Sequence, residues 1–156
     1  MERELGRYQV IDIIGEGGMG QVLRAHDPKM NLSVAIKVIN PALLGKGKVL
    51  ARAQRELQVM LALRAHPNIV TVIDYVEEPF ALVMEFLDGE SLGDIIAAHP
   101  EGVPPDRVNR YALPMLEAVA FAHDQGVLHR DVKPGNVMVI KLGKQEQVKV
   151  LDFGLA

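Results

Sequence analysis

Between positions 8 and 39 the apolar residues come in short β-branched runs separated by turn formers: 8–14, a glycine cluster, 21–26, Asp27-Pro28, and 33–39. Runs of that length bounded by Gly, Pro and Asp predict three strands in an antiparallel meander. Over 46–64 the spacing lengthens to that of a helix, with Leu50, Ala53, Leu57, Met60 and Leu61 on one face, and His66-Pro67-Asn68 ends it. Positions 69–76 and 80–84 return to strand-like runs about the turn Glu77-Glu78-Pro79. The first half of the chain reads as a five-stranded antiparallel sheet with one helix.

The pattern lapses at 86–90, where Asp88-Gly89 interrupts it, and a hinge between 1–85 and 91–156 is placed there. Ser91 is suited to cap a short helix reaching about position 98. Pro104-Pro105-Asp106 opens a second helix to about 125, with Val108, Ala112, Met115, Val119 and Ala122 along one stripe and Gly126 as its stop. Pro114 lies inside that helix, where the lost backbone donor costs about 3 kcal/mol, so a bend is expected. Positions 137–140 and 148–151 then predict a two-stranded hairpin around the polar stretch 141–147. The fold class is α+β: a complete strand-rich part followed by a helical one.

At 156 residues, 49% hydrophobic and 24% charged, the composition is that of an ordinary globular chain, which argues against disorder. A formal charge of −3 leaves no basic footprint for nucleic acid or an anionic membrane, so any bound anion must be held by local geometry. There is no cysteine, which removes disulfides, thiolate metal sites and a Cys nucleophile together and fits a reducing compartment. The five histidines show no ligand-like spacing. Met1-Glu2-Arg3-Glu4 is not a hydrophobic leader, and no apolar run nears the ~20 residues that span a bilayer. The expectation is a cytoplasmic chain, membrane-anchored only if an anchor is encoded beyond residue 156.

Candidate chemistry sits in five places. Gly15-Glu16-Gly17-Gly18-Met19-Gly20 fits G-x-G-x-x-G, which alone is shared by dinucleotide-binding folds and ordinary turns. A dinucleotide fingerprint must open a helix, whereas 21–27 looks like a strand, so a strand–glycine–strand flap is favoured. Val34-Ala35-Ile36-Lys37 ends an apolar run on one lysine, which in isolation reads as a lysine snorkelling from a strand edge. Glu56 falls beside the apolar face of the predicted helix, where a glutamate is usually only a solvated charge. His129-Arg130-Asp131-Val132-Lys133-Pro134-Gly135-Asn136 and Asp152-Phe153-Gly154 supply two aspartates and an asparagine; the bland alternative for the first is a polar turn, since Pro-Gly-Asn is good turn chemistry.

Taken together these motifs resemble the eukaryotic-like (Hanks-type) Ser/Thr protein kinases from end to end, and phosphoryl transfer in that family is a worked template of general enzymology. The resemblance implies a two-lobe fold with 1–85 as N-lobe, 86–90 as hinge and 91–156 as the first part of the C-lobe. It implies ATP and Mg2+ as cofactors and a protein Ser or Thr hydroxyl as acceptor, with no nucleic-acid partner. By resemblance Asp131 orients the hydroxyl, Lys133 supports the transferring phosphate, and Lys37 contacts the α- and β-phosphates while Glu56 holds it. Asn136 and Asp152 bind the metal. The nucleotide is held by Ile14, Gly15, Glu16, Gly17, Gly18, Met19, Gly20, Gln21 and Val22 of the flap, by Ala35, Lys37 and Met138, by Met84 at the gatekeeper position, and by Glu85 and Leu87 at the adenine edge. Met60, Val72, His129 and Phe153 form the family's spine, and Arg130 is placed to pair with a phosphorylated activation loop. The glycine-loop sequence and Val132 are similar to bacterial members.

The family's pattern continues past Asp-Phe-Gly through an activation segment, an Ala-Pro-Glu-like anchor and helices that grip substrate, whereas this sequence ends at Ala156. The stripe Val108–Ala122 is therefore expected to lack a partner, and the chain alone is expected to be marginally stable or aggregation-prone, and inactive. Two other readings share part of the pattern: a non-enzymatic nucleotide-binding or scaffolding module, and a small-molecule phosphotransferase of related fold.

Overall fold

Short strands with turn formers between them do assemble into a sheet, and the computed structural model describes it over residues 3–17, 20–40 and 49–153, the side chains of 3, 49–54 and 56 excepted. Expectations for Gly18, Met19, positions 46–48, Gly154, and the side chains of Leu50, Ala53 and Glu56 lie outside the described residues. Contacts group the chain into two units, Met1–Gln58 with Thr71–Phe86, and Val59–Val70 with Leu87–Ala156.

The first unit is a six-stranded antiparallel sheet in the order β1-β2-β3-β4-β6-β5. Its strands are β1 (Arg3–Leu5), β2 (Tyr8–Gly17), β3 (Gly20–Asp27), β4 (Leu32–Ile39), β5 (Val72–Val76) and β6 (Ala81–Glu85). The sixth strand, β1, is too short to leave a sequence pattern; Gly6 at φ +61° turns it back so that Leu5 pairs with Tyr8. Strands β4 and β6 lie side by side in the interior of the sheet, and their near-continuous apolar runs reflect burial on both faces. Alternate residues Leu23 and Ala25, Val34 and Ile36, Ala81 and Val83 join Tyr8 in one core. At its rim the buried Asp27 caps the β3–β4 turn by accepting from the amides of Lys29 and Met30. The same carboxylate bonds Arg7 at 3.1 Å, while Arg7 reaches Asp74 at 2.8 Å and the Tyr8 hydroxyl donates to Asp74 at 2.7 Å.

The helix α1 (Val49–Leu63) contributes its last turns to the second unit, where Met60 and Leu63 are buried. That unit continues with β7 (Gly89–Ser91), α2 (Leu92–Ala97), α3 (Pro105–Asp124), a 3-10 turn Pro134–Asn136, β8 (Val137–Leu142) and β9 (Gln145–Val150). The strand expected over 69–76 begins only at Val72, because its front part pairs elsewhere: Val70 N–H donates to Val150 C=O and Val150 N–H to Asn68 C=O. Gly89 and Glu90, at the end of the expected hinge, start β7, which makes the expected two-stranded hairpin a three-stranded sheet, β7-β8-β9. A Cβ at Gly89 would sit 2.2 Å from the Val139 carbonyl oxygen, so only glycine lets β7 come this close. Polar residues 141–147 also belong to the hairpin, turning at Gly143 with φ +64° rather than forming a long loop.

Ser91 caps α2 as expected: its Oγ accepts from the Asp94 amide at 3.0 Å and Asp94 answers on the Ser91 amide. Helix α3 runs through Pro114, and the face it buries is Tyr111, Ala118 and Ala122 with Met115 beside them. Of the expected stripe, Ala122 is buried, Val108 is exposed and Met115 lies partly buried against a core cluster. Tyr111 and Met115 pack with Ile95, Val137, Val139 and Val148. Among the described residues no helix is long and apolar enough to cross a membrane.

Candidate functional site

In the first unit, Gly17 pairs with Gly20 at the end of a β2–β3 hairpin, so the glycine run joins strand to strand and opens no helix. The dinucleotide alternative is thereby removed. Glu16 and Gln21 face each other across this hairpin with Gln21 Nε2 donating to Glu16 Oε1 at 3.0 Å, while Ile14 is exposed and Val22 stands opposite Gly15. The two described glycines at the tip differ in purpose. A Cβ on Gly17 would meet nothing within 4 Å, which leaves its face open to a ligand. Gly20, at φ +131°, would put a Cβ 1.9 Å from the Val38 carbonyl oxygen, so the sheet itself demands glycine there.

Lys37 stands on β4 between Val22 of β3 and Leu82 of β6, and it is buried to 6% exposure. An interior strand has no edge to snorkel from, so the bland reading of this lysine fails. A buried ammonium is costly without polar or anionic company, which makes the position one built for charge. Ala35 faces Arg24 and Met84 in register, and Met84 is buried. The Glu85 amide donates to Thr71 C=O at 3.0 Å and its side chain accepts from the Thr71 amide at 2.8 Å.

In the second unit the segment from His129 to Asn136 folds around the Asp131 side chain. Lys133 Nζ lies 2.7 Å from Asp131 Oδ2, and Asn136 Nδ2 donates both to Oδ2 at 3.0 Å and to the Asp131 carbonyl at 2.8 Å. The Lys133 ammonium, aided by Asn136 and opposed by partial desolvation, holds the Asp131 carboxyl below its ordinary range. With Lys133 more than half exposed and Asp131 about a third exposed, the pair is solvent-screened, adds little stability and serves to position. Arg130 and Asp152 adopt φ of +67° and +61°, a left-handed conformation that side chains other than glycine rarely take and that is concentrated at functional sites.

What fixes Asp152 is a residue the sequence did not single out. Leu151 N–H donates to the Asn136 carbonyl at 2.8 Å, and Leu151 C=O accepts from His129 Nε2 at 2.7 Å. Because the Asp131 amide donates to His129 Nδ1 at 3.2 Å, the ring must carry its proton on Nε2. Phe153 is fully buried with its ring 4.5 Å from that of His129. An aliphatic residue acting through its backbone leaves no mark in sequence. Met138 on β8 pairs with Lys149 and with Ser91, Leu87 is half-buried, and Met60 and Val72 are buried.

The donor set suits a hard cation. Asn136 commits its amide nitrogen to Asp131, which turns its Oδ1 to other uses, and Asp152 adds a half-buried carboxylate. No group of three or more His, Cys, Asp or Glu side chains gathers among the described residues, so a metal held here would complete its shell with water and phosphate oxygens, as Mg2+ commonly does.

The profile of the protein kinase domain matches residues 8–156. The serine/threonine-protein kinase pkn2 of Myxococcus xanthus is 40% identical over 97% of this chain, and serine/threonine-protein kinase PknB of Mycobacterium leprae is 38% identical over 96%. PrkC of Bacillus subtilis, also a serine/threonine-protein kinase, is 36% identical over 99%. The chain spans 18% of the first of these relatives and 24% of the other two. In structure it resembles the kinase domain of Mycobacterium tuberculosis PknI with a TM-score of 0.83 and 29% identity, covering 99% of this chain and 62% of that one.

Proposed function

This chain belongs to the protein kinase domain family, and we propose that it supplies the nucleotide-binding and catalytic-loop parts of an ATP-dependent Ser/Thr protein kinase. The observation that carries the reading is the Lys133–Asp131–Asn136 cluster, in which a carboxylate with a lowered pKa is held by a cation and by an amide nitrogen. We assign 1–85 to the nucleotide-binding lobe, 86–90 to the hinge and 91–156 to the catalytic lobe, working in the cytoplasm.

In the first lobe the flap from Ile14 to Val22 would cover the phosphates, with Gly17 giving the closest backbone approach, and Lys37 would bind the α- and β-phosphates with Glu56 as its counter-ion. Ala35 and Met84 would border the adenine. Since the Glu85 amide is committed to Thr71, the amide donor to the adenine edge would be that of Leu87. Met138 would also contact the nucleotide.

In the catalytic lobe Asp131 would accept a hydrogen bond from the Ser or Thr hydroxyl and orient it, taking its proton as the oxygen bonds the γ-phosphorus and the bond to the β–γ bridging oxygen breaks. Lys133, already on the Asp131 carboxylate, would supply positive charge to the moving phosphoryl group. Asn136 Oδ1 and the Asp152 carboxylate would hold Mg2+, whose contribution is to neutralise phosphate oxygens. The protein's share of catalysis is positioning and electrostatics.

A thermal melt tests the site without requiring turnover. Magnesium and ATP together should raise the melting temperature, and Asp152→Ala should abolish the rise; an equal rise in the variant would refute the metal assignment. In the protein that carries this chain, Lys37→Met should cut phosphate transfer to a generic basic protein by orders of magnitude. Transfer to aminoglycosides or choline instead would show a small-molecule phosphotransferase.

A further inference from the structure

Away from those residues, the turn of the β8–β9 hairpin and the first turns of α3 border a surface cleft of about 750 Å3, lined by Arg107, Arg110, Lys141, Lys144, Gln145 and Glu146 among others. Four of its side chains are cationic and one is acidic, in a chain of net charge −3. The acid is internally neutralised. Glu146 accepts from Arg107 Nη2 at 3.0 Å and from the Tyr111 hydroxyl at 2.9 Å, and that hydroxyl in turn accepts from Arg107 Nε at 2.5 Å. Although burial works against it, these bonds hold the Glu146 carboxyl below its ordinary range. The triad builds a charge-balanced wall, and Arg110, whose charge also acts on Glu146, joins Lys141 and Lys144 in setting a positive field. All three are exposed, and none makes a side-chain hydrogen bond or ion pair among the described residues.

Like charges around one concavity focus a positive potential and attract an anion. The form of that anion follows from the spacing. Lys141 and Lys144 flank the hairpin turn while Arg110 rides a separate helix, so the cations come from separate elements along the cleft, which suits several anionic groups in a row better than one. The volume falls within the ~300–1,000 Å3 of ligand pockets. The overall negative charge opposes long polyanions and anionic bilayers. We propose that this cleft is a docking site for an extended Asp- and Glu-rich segment of a protein partner. The site is separate from the phosphoryl-transfer residues, and its occupancy is measurable without nucleotide.

The test is fluorescence anisotropy of a short labelled peptide of alternating Asp and Glu, titrated with the full chain, alongside its Asn and Gln counterpart. Saturable binding is expected for the acidic peptide alone, weakening with added salt. The triple variant Arg110→Glu, Lys141→Glu, Lys144→Glu should bind about tenfold or more weakly, while Lys29→Glu, on the β3–β4 turn of the other unit, should leave affinity unchanged. If the triple variant fails to melt cooperatively, Lys144→Gln alone carries the test, with a loss of about threefold. Absence of saturable binding, equal loss with Lys29→Glu, full displacement by inorganic phosphate, or equally strong cleft-dependent binding of phosphatidylserine vesicles would each overturn the proposal.

Discussion

Gly17 and Gly20 face each other at the end of the β2–β3 hairpin and are glycine for unrelated reasons. A methyl at Gly20 meets the Val38 carbonyl and a backbone region foreign to L-residues, while a methyl at Gly17 meets open space. Gly20→Ala should therefore destabilise the first unit by about 1–3 kcal/mol from its backbone conformation alone, with the carbonyl clash adding to that. Gly17→Ala should shift the urea midpoint by no more than about 0.5 kcal/mol in stability and instead weaken ATP binding. Equal stability losses in the two variants would contradict this division. The motif was legible in the sequence because a G-x-G-x-x-G string is visible as letters; which glycine serves the fold and which the ligand depends on the neighbouring strand β4, whose proximity no local pattern records. Lys37 shows the same limit, since its interior place follows only once β6 is known to pair beyond it.

At the scale of elements, Asp27 ties the end of β3 to the turn after β1 through Arg7, and Arg7 extends the link to Asp74 on β5. The Arg7 hydrogen bond, helped by the turn amides and opposed by burial, lowers the Asp27 pKa on folding. A carboxyl depressed in the native state lends stability that is complete above its unfolded value of about 3.9 and is lost as pH falls through the lower folded value. Asp27→Asn should accordingly lower the urea midpoint at neutral pH, and the gap between variant and parent should close below about pH 4. A gap unchanged by acid would show that the carboxylate is not the source. The elements with a clear run, stripe or cap, β2–β4, α2 and α3, were readable. Those resting on partners were not: β1 and β7 are three residues each and exist because β2 and β8 offer edges. Residues 69–70 look like strand yet bond to Val150.

On the molecule as a whole, α3 turns Tyr111, Ala118 and Ala122 inward while Leu113 and Leu116 are 62% and 65% exposed on its other side. Two leucines near one another on a polar helix face form a small adhesive surface. The chain is expected to self-associate as concentration rises, and Leu113→Lys with Leu116→Lys should suppress the light scattering while changing stability by no more than about 0.5 kcal/mol. Scattering indifferent to these substitutions would place the adhesive surface elsewhere. Charge distribution follows a comparable logic, since a net −3 conceals a basic cleft that only the folded hairpin assembles. The double anchoring of Leu151 has its own corollary for how such a site tolerates change. With amide and carbonyl both fixed, the distance from Asn136 to Asp152 is set by main chain, so Ile, Met or Val at position 151 should leave the affinity of the proposed metal site almost untouched. Deuterium should enter the Leu151 amide only when the lobe opens, making one peptide proton a clock for the integrity of the whole catalytic constellation.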